Sequence, residues 1–318
     1  MDNMIVSSSP HVHSKTTISS IMGDVIIALM PALIAGVYFF GLRSALVVTT
    51  SVACAVLSEL VFQIIANKKV TISDLSAVVT GMLLGLNLPP SIPLWMAAVG
   101  SVFSIVVVKQ IFGGLGKNFM NPALAGRCFM LIAWTGAMTT FAQPLASDAV
   151  SSATPLAAMK ASVFENVSIY DAFIGKIPGC IGETSAIALI IGFAYLIVKK
   201  VVSVKIPLAY LLTFALMTFI FGNNTTEMAQ WEYTVYQLLT GGLLLGAFFM
   251  ATDYTTTPTT PKGMVVFGIG CGLLTFVIRQ FGGYPEGVSF SIILMNIVAP
   301  LIENVTVPKT FGKGGKSV

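Results

Sequence analysis

Thr80-Gly81-Met82-Leu83-Leu84-Gly85 returns later in the chain as Thr240-Gly241-Gly242-Leu243-Leu244-Leu245-Gly246. Each phrase sits in an apolar run, 75–88 and 236–250, that falls short of the about 17 to 25 residues a helix needs to cross hydrocarbon. The run after each ends in a second shared phrase, Gln110-Ile111-Phe112-Gly113-Gly114 in one half and Arg279-Gln280-Phe281-Gly282-Gly283 in the other. Glycine is common in membrane helices because it lets backbones approach. Two phrases repeated in the same order point beyond that, to an internal repeat. Working outward, apolar runs cover 21–40, 44–66, 75–88, 94–112 and 123–138, then 185–198, 206–222, 236–250, 264–281 and 288–302. An odd number of spans in each copy turns the second upside down relative to the first. Inverted repeats with paired short, Gly-interrupted helices point to an ion or substrate path near the bilayer midplane. The expected fold is an all-α polytopic membrane protein of about ten transmembrane helices in two inverted five-helix repeats, the third and eighth short or broken.

Composition agrees. Of 318 residues, 55% are hydrophobic and 9% charged, against about 25% charged in soluble domains, and mean hydropathy is +0.89. A soluble globular fold is excluded. The chain divides into an N-terminal cytoplasmic tail (1–20), a first five-helix repeat (21–138), an extracytoplasmic loop (139–184), a second repeat (185–304) and a C-terminal cytoplasmic tail (305–318). The first apolar run lacks a cleavage pattern and is expected to remain as a helix. His11 and His13 could share a metal, but no third ligand lies nearby, so a flexible tail is expected and no metal site. Cys54, Cys128, Cys180 and Cys271 form no CxxC pair and read as small buried hydrophobes. With the N-terminus in the cytoplasm, 13 of the 17 basic residues, Arg127 among them, fall on the cytoplasmic side, leaving Arg43, Lys160, Lys176 and Arg279 outside. The positive-inside rule prefers that orientation, with both termini cytoplasmic.

Three carboxylates lie in or beside the spans. Glu59 sits well inside the second run, where a carboxylate pairs or lines a polar path. Ion handling and a structural hydrogen bond are both open for it. Asp24 and Asp74 are candidates for the same ion path, or caps for helix starts. Asp253, in ATDYTTTPTTP (251–261), reads as a cytoplasmic loop residue at a possible cation entrance. The stretch GGLGKNFMNPALAG (113–126) combines flexible glycines with the amides of Asn118 and Asn121, suited to a planar hydrogen-bonding heterocycle or to a helix-entry turn. SDAVSSATPL (147–156) lies in the long loop, a length that is usually functional or disordered. No side chain is a redox centre in itself, and no catalytic residue is expected.

Read together, SSSPHVHS, SDLSAVVTGMLLGLNLPP, GGLGKNFMNPALAG and SDAVSSATPL resemble the D subunit of the Rnf ion-translocating electron-transport complex (the RnfD/NqrB family) and its relative in the sodium-pumping NADH:quinone reductase. The likeness runs over residues 7–308. It implies a ten-helix inverted-repeat fold similar to that of urea and ammonium transporters, in a bacterial inner membrane. It also implies an FMN esterified through its phosphate to Thr154, outside the cytoplasm. Many members carry Gly where this chain has Ser152. A non-covalent riboflavin near the cytoplasmic side is implied as well, with Asn118 and Asn121 as its candidate residues. The resemblance further implies a translocase linking ferredoxin and NAD to Na+ or H+ movement. Its partners would be the sister A, B, C, E and G subunits together with membrane lipid, and no nucleic acid. A small-solute channel or secondary transporter is the rival reading that the repeat alone supports equally well, and a purely structural membrane component is the third.

Overall fold

The computed structural model describes residues 16–145, 151–152, 154–160, 168–224, 228–283 and 286–308. Most of the two terminal tails, with His11 and His13, lies outside the described residues, as do residues 147–150 and Ala153 of the loop motif.

Helix α1 (Ile18–Phe40) starts where the Thr17 hydroxyl accepts the Ser20 amide at 3.2 Å, meeting one of the free N-H groups of a first turn. It ends at Gly41, whose φ of 76° is a left-handed conformation that glycine adopts without strain. The same residue opens α2 (Leu42–Ile65), so the two helices fold back with one residue between them. A short 3-10 turn, Ile72–Asp74, and a left-handed Leu75 then turn the chain into α3 (Ser76–Leu86). Every residue of this 11-residue helix except Val78 is buried, which is how a helix apolar all round satisfies itself.

Helix α4 (Leu94–Val102) runs on as a π-helical stretch, Phe103–Gln110, and α5 (Pro122–Ala133) follows with Asn121 as its cap and Pro122 in its first turn, where a missing N-H costs nothing. A short α6 (Thr135–Met138) closes this half. The segment expected as one polar loop contains short elements among its described residues. A two-residue strand β1 (Phe141–Ala142) pairs antiparallel with β2 (Ser151–Ser152), and α7 (Pro155–Lys160) and α8 (Ile169–Ile174) follow. Its last part goes inside. The Ile181 and Gly182 amides donate to the Leu88 and Leu86 carbonyls at 3.1 and 2.8 Å, carrying the chain onto the end of α3.

The second half comprises α9 (Ala186–Val198), α10 (Lys205–Phe221), α11 (Gln230–Leu239), α12 (Leu243–Leu245) with its π-helical continuation Gly246–Met250, α13 (Pro261–Phe281) and α14 (Val288–Thr306). The eighth apolar element begins at Gln230, earlier than hydropathy suggested, because the polar residues of α11 hide its first turn and a half. It is broken rather than short: α11 and Leu243–Met250 meet at 60°. Gly241 and Gly242, at φ 70° and 68°, make the corner.

Among the described residues, four helices, α1, α2, α13 and α14, are long and apolar enough to cross a membrane, and the bent pair makes a fifth. Five shorter apolar helices accompany them, Ser76–Leu86, Leu94–Gln110, Pro122–Ala133, Ala186–Val198 and Lys205–Phe221. The chain is a multi-pass, all-α membrane protein. Its largest core cluster spans both halves; α1 packs on α9 and α10 on α13, and Phe193 stacks on Phe248 at 4.3 Å.

The repeated glycine phrases serve different local needs. In α3, Gly81 and Gly85 press against α2: a Cβ on Gly81 would stand 2.7 Å from Val52 Cα, and one on Gly85 2.9 Å from Val48 Cα. In the second half that close approach is made by α13, whose Gly268 and Gly272 face α10. Gly241 and Gly242 are spent on the corner.

Candidate functional site

Cavities lie at two ends of the bundle. One end gathers the start of α1, the α2–α3 connection, the 111–121 stretch and the loop before α13. Ser19 donates to the Ser73 carbonyl at 2.7 Å, Asn118 to Thr255 at 3.0 Å, and Lys199 lies 3.7 Å from Asp24. The other end gathers the close of α1, the described parts of the 139–185 segment, the α11–α12 corner and the start of α14. There the Leu145 amide meets the Phe39 carbonyl, and Lys160 donates to the carbonyls of Arg279 and Gly282.

Thr154 is at this second end and is buried, 6% exposed. Its hydroxyl accepts the Ala157 amide at 3.2 Å, closing the first turn of α7. It lines a small cavity with Glu183, Thr184, Gly241 and Glu286. Leu156, two residues on, forms part of both this cavity and a larger neighbouring one. The larger cavity has aromatic walls from Phe214, Tyr233 and Phe276, and polar groups from Lys160, Gln237, Arg279 and Gln280. Arg279 is held firmly there. Its guanidinium donates to the Gln237 carbonyl at 2.6 Å, to the Gln237 side chain at 3.2 Å and to the Thr240 and Gly241 carbonyls at 3.0 Å, and lies 5.0 Å from the Phe214 ring centre. These bonds satisfy carbonyls freed where α11 breaks.

Arg127 does not reach the cytoplasmic-side surface where the charge count put it. It is 6% exposed inside the bundle, paired with Glu286, donating to Ser289 at 2.8 Å and touching Cys180 Sγ at 3.6 Å. The reason is that α5 enters the bundle directly from Asn121, so its second turn is already deep. Glu183 stands beside this group, its Oε1 accepting the Cys180 amide at 3.1 Å. In the 175–185 connection, burial and then the nearby Glu286 carboxylate push Glu183 up to about 7, with Arg127 opposing. All four cysteines are free thiols.

At the first end, Asn118, Asn121 and Asp253 line a cavity with Thr80, Lys109 and Phe249. Mostly apolar walls with a few convergent polar groups are the usual form of a small-molecule site. The two asparagines are not equivalent within it. Asn121 Oδ1 accepts the Ala123 and Leu124 amides at 3.0 and 3.3 Å, as a helix cap, and its Nδ2 reaches the Met250 carbonyl at 3.4 Å. Asn118 donates to the Met120 carbonyl and to Thr255, and its own carbonyl oxygen accepts none of these bonds.

Glu59 is 1% exposed and its carboxylate takes bonds from Lys109, Gln110 and Gln63. Lys109 also donates to Ser76, at 2.6 Å. Asp74 accepts the Ser76 amide and hydroxyl at 2.8 and 2.6 Å, in the turn before α3. Asp24 is bonded by Tyr195 at 2.8 Å and caps nothing. Of the residues singled out in the sequence, Asn118, Asn121 and Asp253 meet in one cavity, while Glu59 pairs with Lys109 and Asp74 is linked to that lysine only through Ser76. Glu183, Glu286 and the buried roles of Arg127 and Arg279 were not foreseen. A carboxylate just before an apolar run, as in Gly182-Glu183-Thr184-Ser185 and Glu286-Gly287, reads as a helix cap, and that hides both.

The sequence model of the NQR2, RnfD, RnfE family matches residues 5–312. The chain is 49% identical over 313 residues to the D subunit of the Na(+)-translocating ferredoxin:NAD(+) oxidoreductase complex of Acetobacterium woodii, covering 98% of this chain and 96% of that protein. It is 44% identical to the D subunit of the proton-translocating ferredoxin:NAD(+) oxidoreductase complex of Clostridium ljungdahlii, covering 96% of each. It is 33% identical to the D subunit of the ion-translocating oxidoreductase complex of Escherichia coli, over 96% of this chain and 98% of that one. With a family match over nearly its whole length and relatives this similar, the chain belongs to the NQR2, RnfD, RnfE family.

Proposed function

We propose that this chain is the flavin-carrying membrane component of an ion-translocating ferredoxin:NAD oxidoreductase complex, with FMN joined through its phosphate to Thr154. The names of its relatives support the complex and its enzyme class. The observation that carries the flavin reading is the setting of Thr154. Its cavity shares Leu156 with a polar, aromatic-walled cavity holding Arg279 and Lys160, and Arg279 Nε is buried there with no partner among the described residues. Those residues fit a flavin: a hydroxyl for the ester, fixed cations for anionic groups, and Phe214, Tyr233 and Phe276 to flank a ring.

When bound, the flavin supplies the electron transfer that no side chain of this sequence can perform. The protein's part is positional and electrostatic. Arg279, locked by four hydrogen bonds to Gln237, Thr240 and Gly241, and Lys160 would stabilise negative charge added at the site. Unit charges 4 Å apart interact by about 4 kcal/mol at an effective dielectric near 20. A tether holds the carrier at high effective concentration beside its partners. For the non-covalent riboflavin, the cavity at the opposite end is the candidate, with Asn118 as its adaptable amide and Asn121 as the residue that shapes its rim.

The same reading takes the ten apolar elements as two inverted five-helix repeats, each one a domain, separated by an extracytoplasmic segment. It is supported by a shared device. In each half the basic residue before the Gln of the second repeated phrase turns inward to the element that carries the first phrase, Lys109 to Ser76 at the start of α3 and Arg279 to Thr240 and Gly241 at the break between α11 and α12. Both termini are then cytoplasmic in a bacterial cell membrane. Partners are the remaining subunits of the complex and membrane lipid. Relatives are named for sodium and for protons, so the translocated ion is Na+ or H+, with Glu59, Asp24 and Asp74 as path candidates.

The test is direct. The denatured chain from its native host is expected to fluoresce under ultraviolet light, Thr154→Ala to be dark, and the peptide spanning residues 147–160 to carry the mass of FMN. A colourless wild type would overturn the redox reading and favour a small-solute channel.

A further inference from the structure

A groove on the outside of the bundle runs for the depth of one bilayer leaflet and ends at a lysine. We propose that it holds one anionic phospholipid, with an acyl chain along the groove and the phosphate at Lys68 and its neighbour Lys69. The site lies apart from both flavin cavities and goes beyond the redox reading, so neither depends on the other.

The groove lies between α2 and α4 with its π-helical continuation. From α2 it is lined from Cys54 to Ile65, at positions three and four residues apart, and Val102 and Val106 close it from the other side. That spacing keeps the α2 lining on one helix face. Ile65 and Val102 are exposed, so the groove opens outward to the surroundings of the bundle. It offers nothing to a polar ligand, because its one hydroxyl, that of Ser58, donates to the Ala55 carbonyl of the same helix at 2.9 Å. Its length is informative. Cys54 stands midway along α2 and Ile65 is the last residue of that helix. The distance between them is about 16 Å at about 1.5 Å per residue, and half of the hydrocarbon core is about 15 Å. A partner's spanning helix needs a seat along the whole of α2, whereas a lipid tail needs only this half.

The headgroup end is built as well. Lys68 Nζ lies 5.3 Å from the centre of the Phe62 ring, which lines the groove, and donates at 3.3 Å to the carbonyl of Gln110, one turn past Val106. The ammonium therefore stands between the same two helices, where the groove ends. A ring and a carbonyl are neutral partners, so Lys68 keeps its positive charge. Neither Lys68 nor the exposed Lys69 belongs to an ion pair among the described residues. Glu59, which takes a bond from the Gln110 side chain, is already matched by Lys109. Basic side chains at the rim between two helices attract anionic headgroups, and lysine stems are long enough to reach the interface from there. A soluble anion would meet the lysines and leave the groove unfilled. A neutral hydrocarbon would fill the groove and ignore the lysines. A zwitterionic headgroup carries its own cation and gains less, which leaves the anionic phospholipid as the occupant that answers both ends.

The experiment is native mass spectrometry of the purified full-length chain in detergent, offered phosphatidylglycerol or phosphatidylethanolamine with the same acyl chains. Wild type is expected to retain one phosphatidylglycerol several-fold better than phosphatidylethanolamine. Lys68→Gln is expected to erase that preference and Lys69→Gln to weaken it. Ser58→Phe, which fills the groove and leaves both lysines, is expected to lower phosphatidylglycerol retention several-fold. Equal retention of the two lipids by wild type, or an unchanged preference in Lys68→Gln, would reduce the site to ordinary boundary lipid and overturn it. So would undiminished retention in Ser58→Phe. Should that variant not fold, dihexanoyl phosphatidylglycerol, which has the headgroup and tails too short for the groove, takes its place. It is expected to be held several-fold less than the full-length lipid, and equal retention overturns the site. The intact complex from the native host is expected to carry the same lipid. A complex without it, or a dimer of this chain that forms as the lipid is lost, would give the groove to a sister subunit or to a second copy and overturn the proposal.

Discussion

Lys109 Nζ lies 2.9 Å from Glu59 Oε2, with both side chains sealed at 3% and 1% exposure. The pair joins α2 to the π-helical end of α4, and through Ser76 it fixes the first residue of α3. Because Gln110 and Gln63 complete the carboxylate's bonds, its charge is fully surrounded. Removing one partner strands the other, which costs about 3 to 5 kcal/mol, whereas exchanging both together is far milder. Glu59→Gln and Lys109→Met are each expected to lower the unfolding temperature in detergent sharply, and the double variant to recover much of the loss. A double variant as unstable as the sum of the singles would show that the two do not act as a pair.

The α2–α3 contact makes a second, contrasting expectation. Gly81 meets Val52 Cα and the Ser51 carbonyl within 2.7 and 2.9 Å of where a Cβ would stand, atoms of backbone that cannot swing aside. Gly81→Val is expected to cost about 1 to 3 kcal/mol or more as overpacking. Gly23, in α1, has nothing within 4 Å, and Gly23→Ala is expected to be neutral or stabilising by up to about 1 kcal/mol through helix propensity. The check is the order of thermal stabilities. A tolerated Gly81→Val would mean that the helices are not in close contact.

The contrast also marks how far the sequence could be read. Apolar runs locate spans because hydrocarbon demands length, and α1, α2, α13 and α14 were visible for that reason. The start of α11 was not, since Gln230, Glu232 and Gln237 dilute its hydropathy while the fold turns them toward polar neighbours. Repeated glycines announced special backbone at 81–85 and 241–246 without saying which special purpose each serves, since glycine permits both close approach and a corner. The cavity residues Asn118 and Asn121 stood out as amides in a glycine-rich turn. Arg127, Glu183 and Glu286 come from three distant parts of the chain, and nothing local records that they meet.

The two asparagines should separate experimentally. Asn121→Ala removes the cap of α5, worth about 1 kcal/mol, and is expected to act mainly on thermal stability. Asn118→Ala leaves that helix start intact and is expected to act mainly on the riboflavin released by acid extraction. A reversed pattern, with bound riboflavin following Asn121 and stability following Asn118, would overturn the division of roles.

Asp253 gives the cavity at that end a dependence on pH. It is half-buried in the loop before α13, and burial raises its carboxyl above the usual range, while bonds from the Thr255 amide and hydroxyl and from Thr256, and the charge of Lys109, oppose the rise. A raised folded-state value means that the fold holds the proton more tightly than the unfolded chain does. The resulting stabilisation is complete below the unfolded value and is lost as pH rises through the folded one. Asp253→Asn keeps an acceptor for the Thr255 amide and never ionises. Its stability relative to wild type is therefore expected to rise as pH climbs from below the ordinary aspartate range to neutrality, then to level off. Unfolding temperatures of the two proteins between about pH 4 and 7, taken at constant ionic strength, would show it. A difference that stays constant over that interval, or that shrinks with rising pH, would mean that the Asp253 carboxylate is stabilised by the fold rather than penalised by its burial.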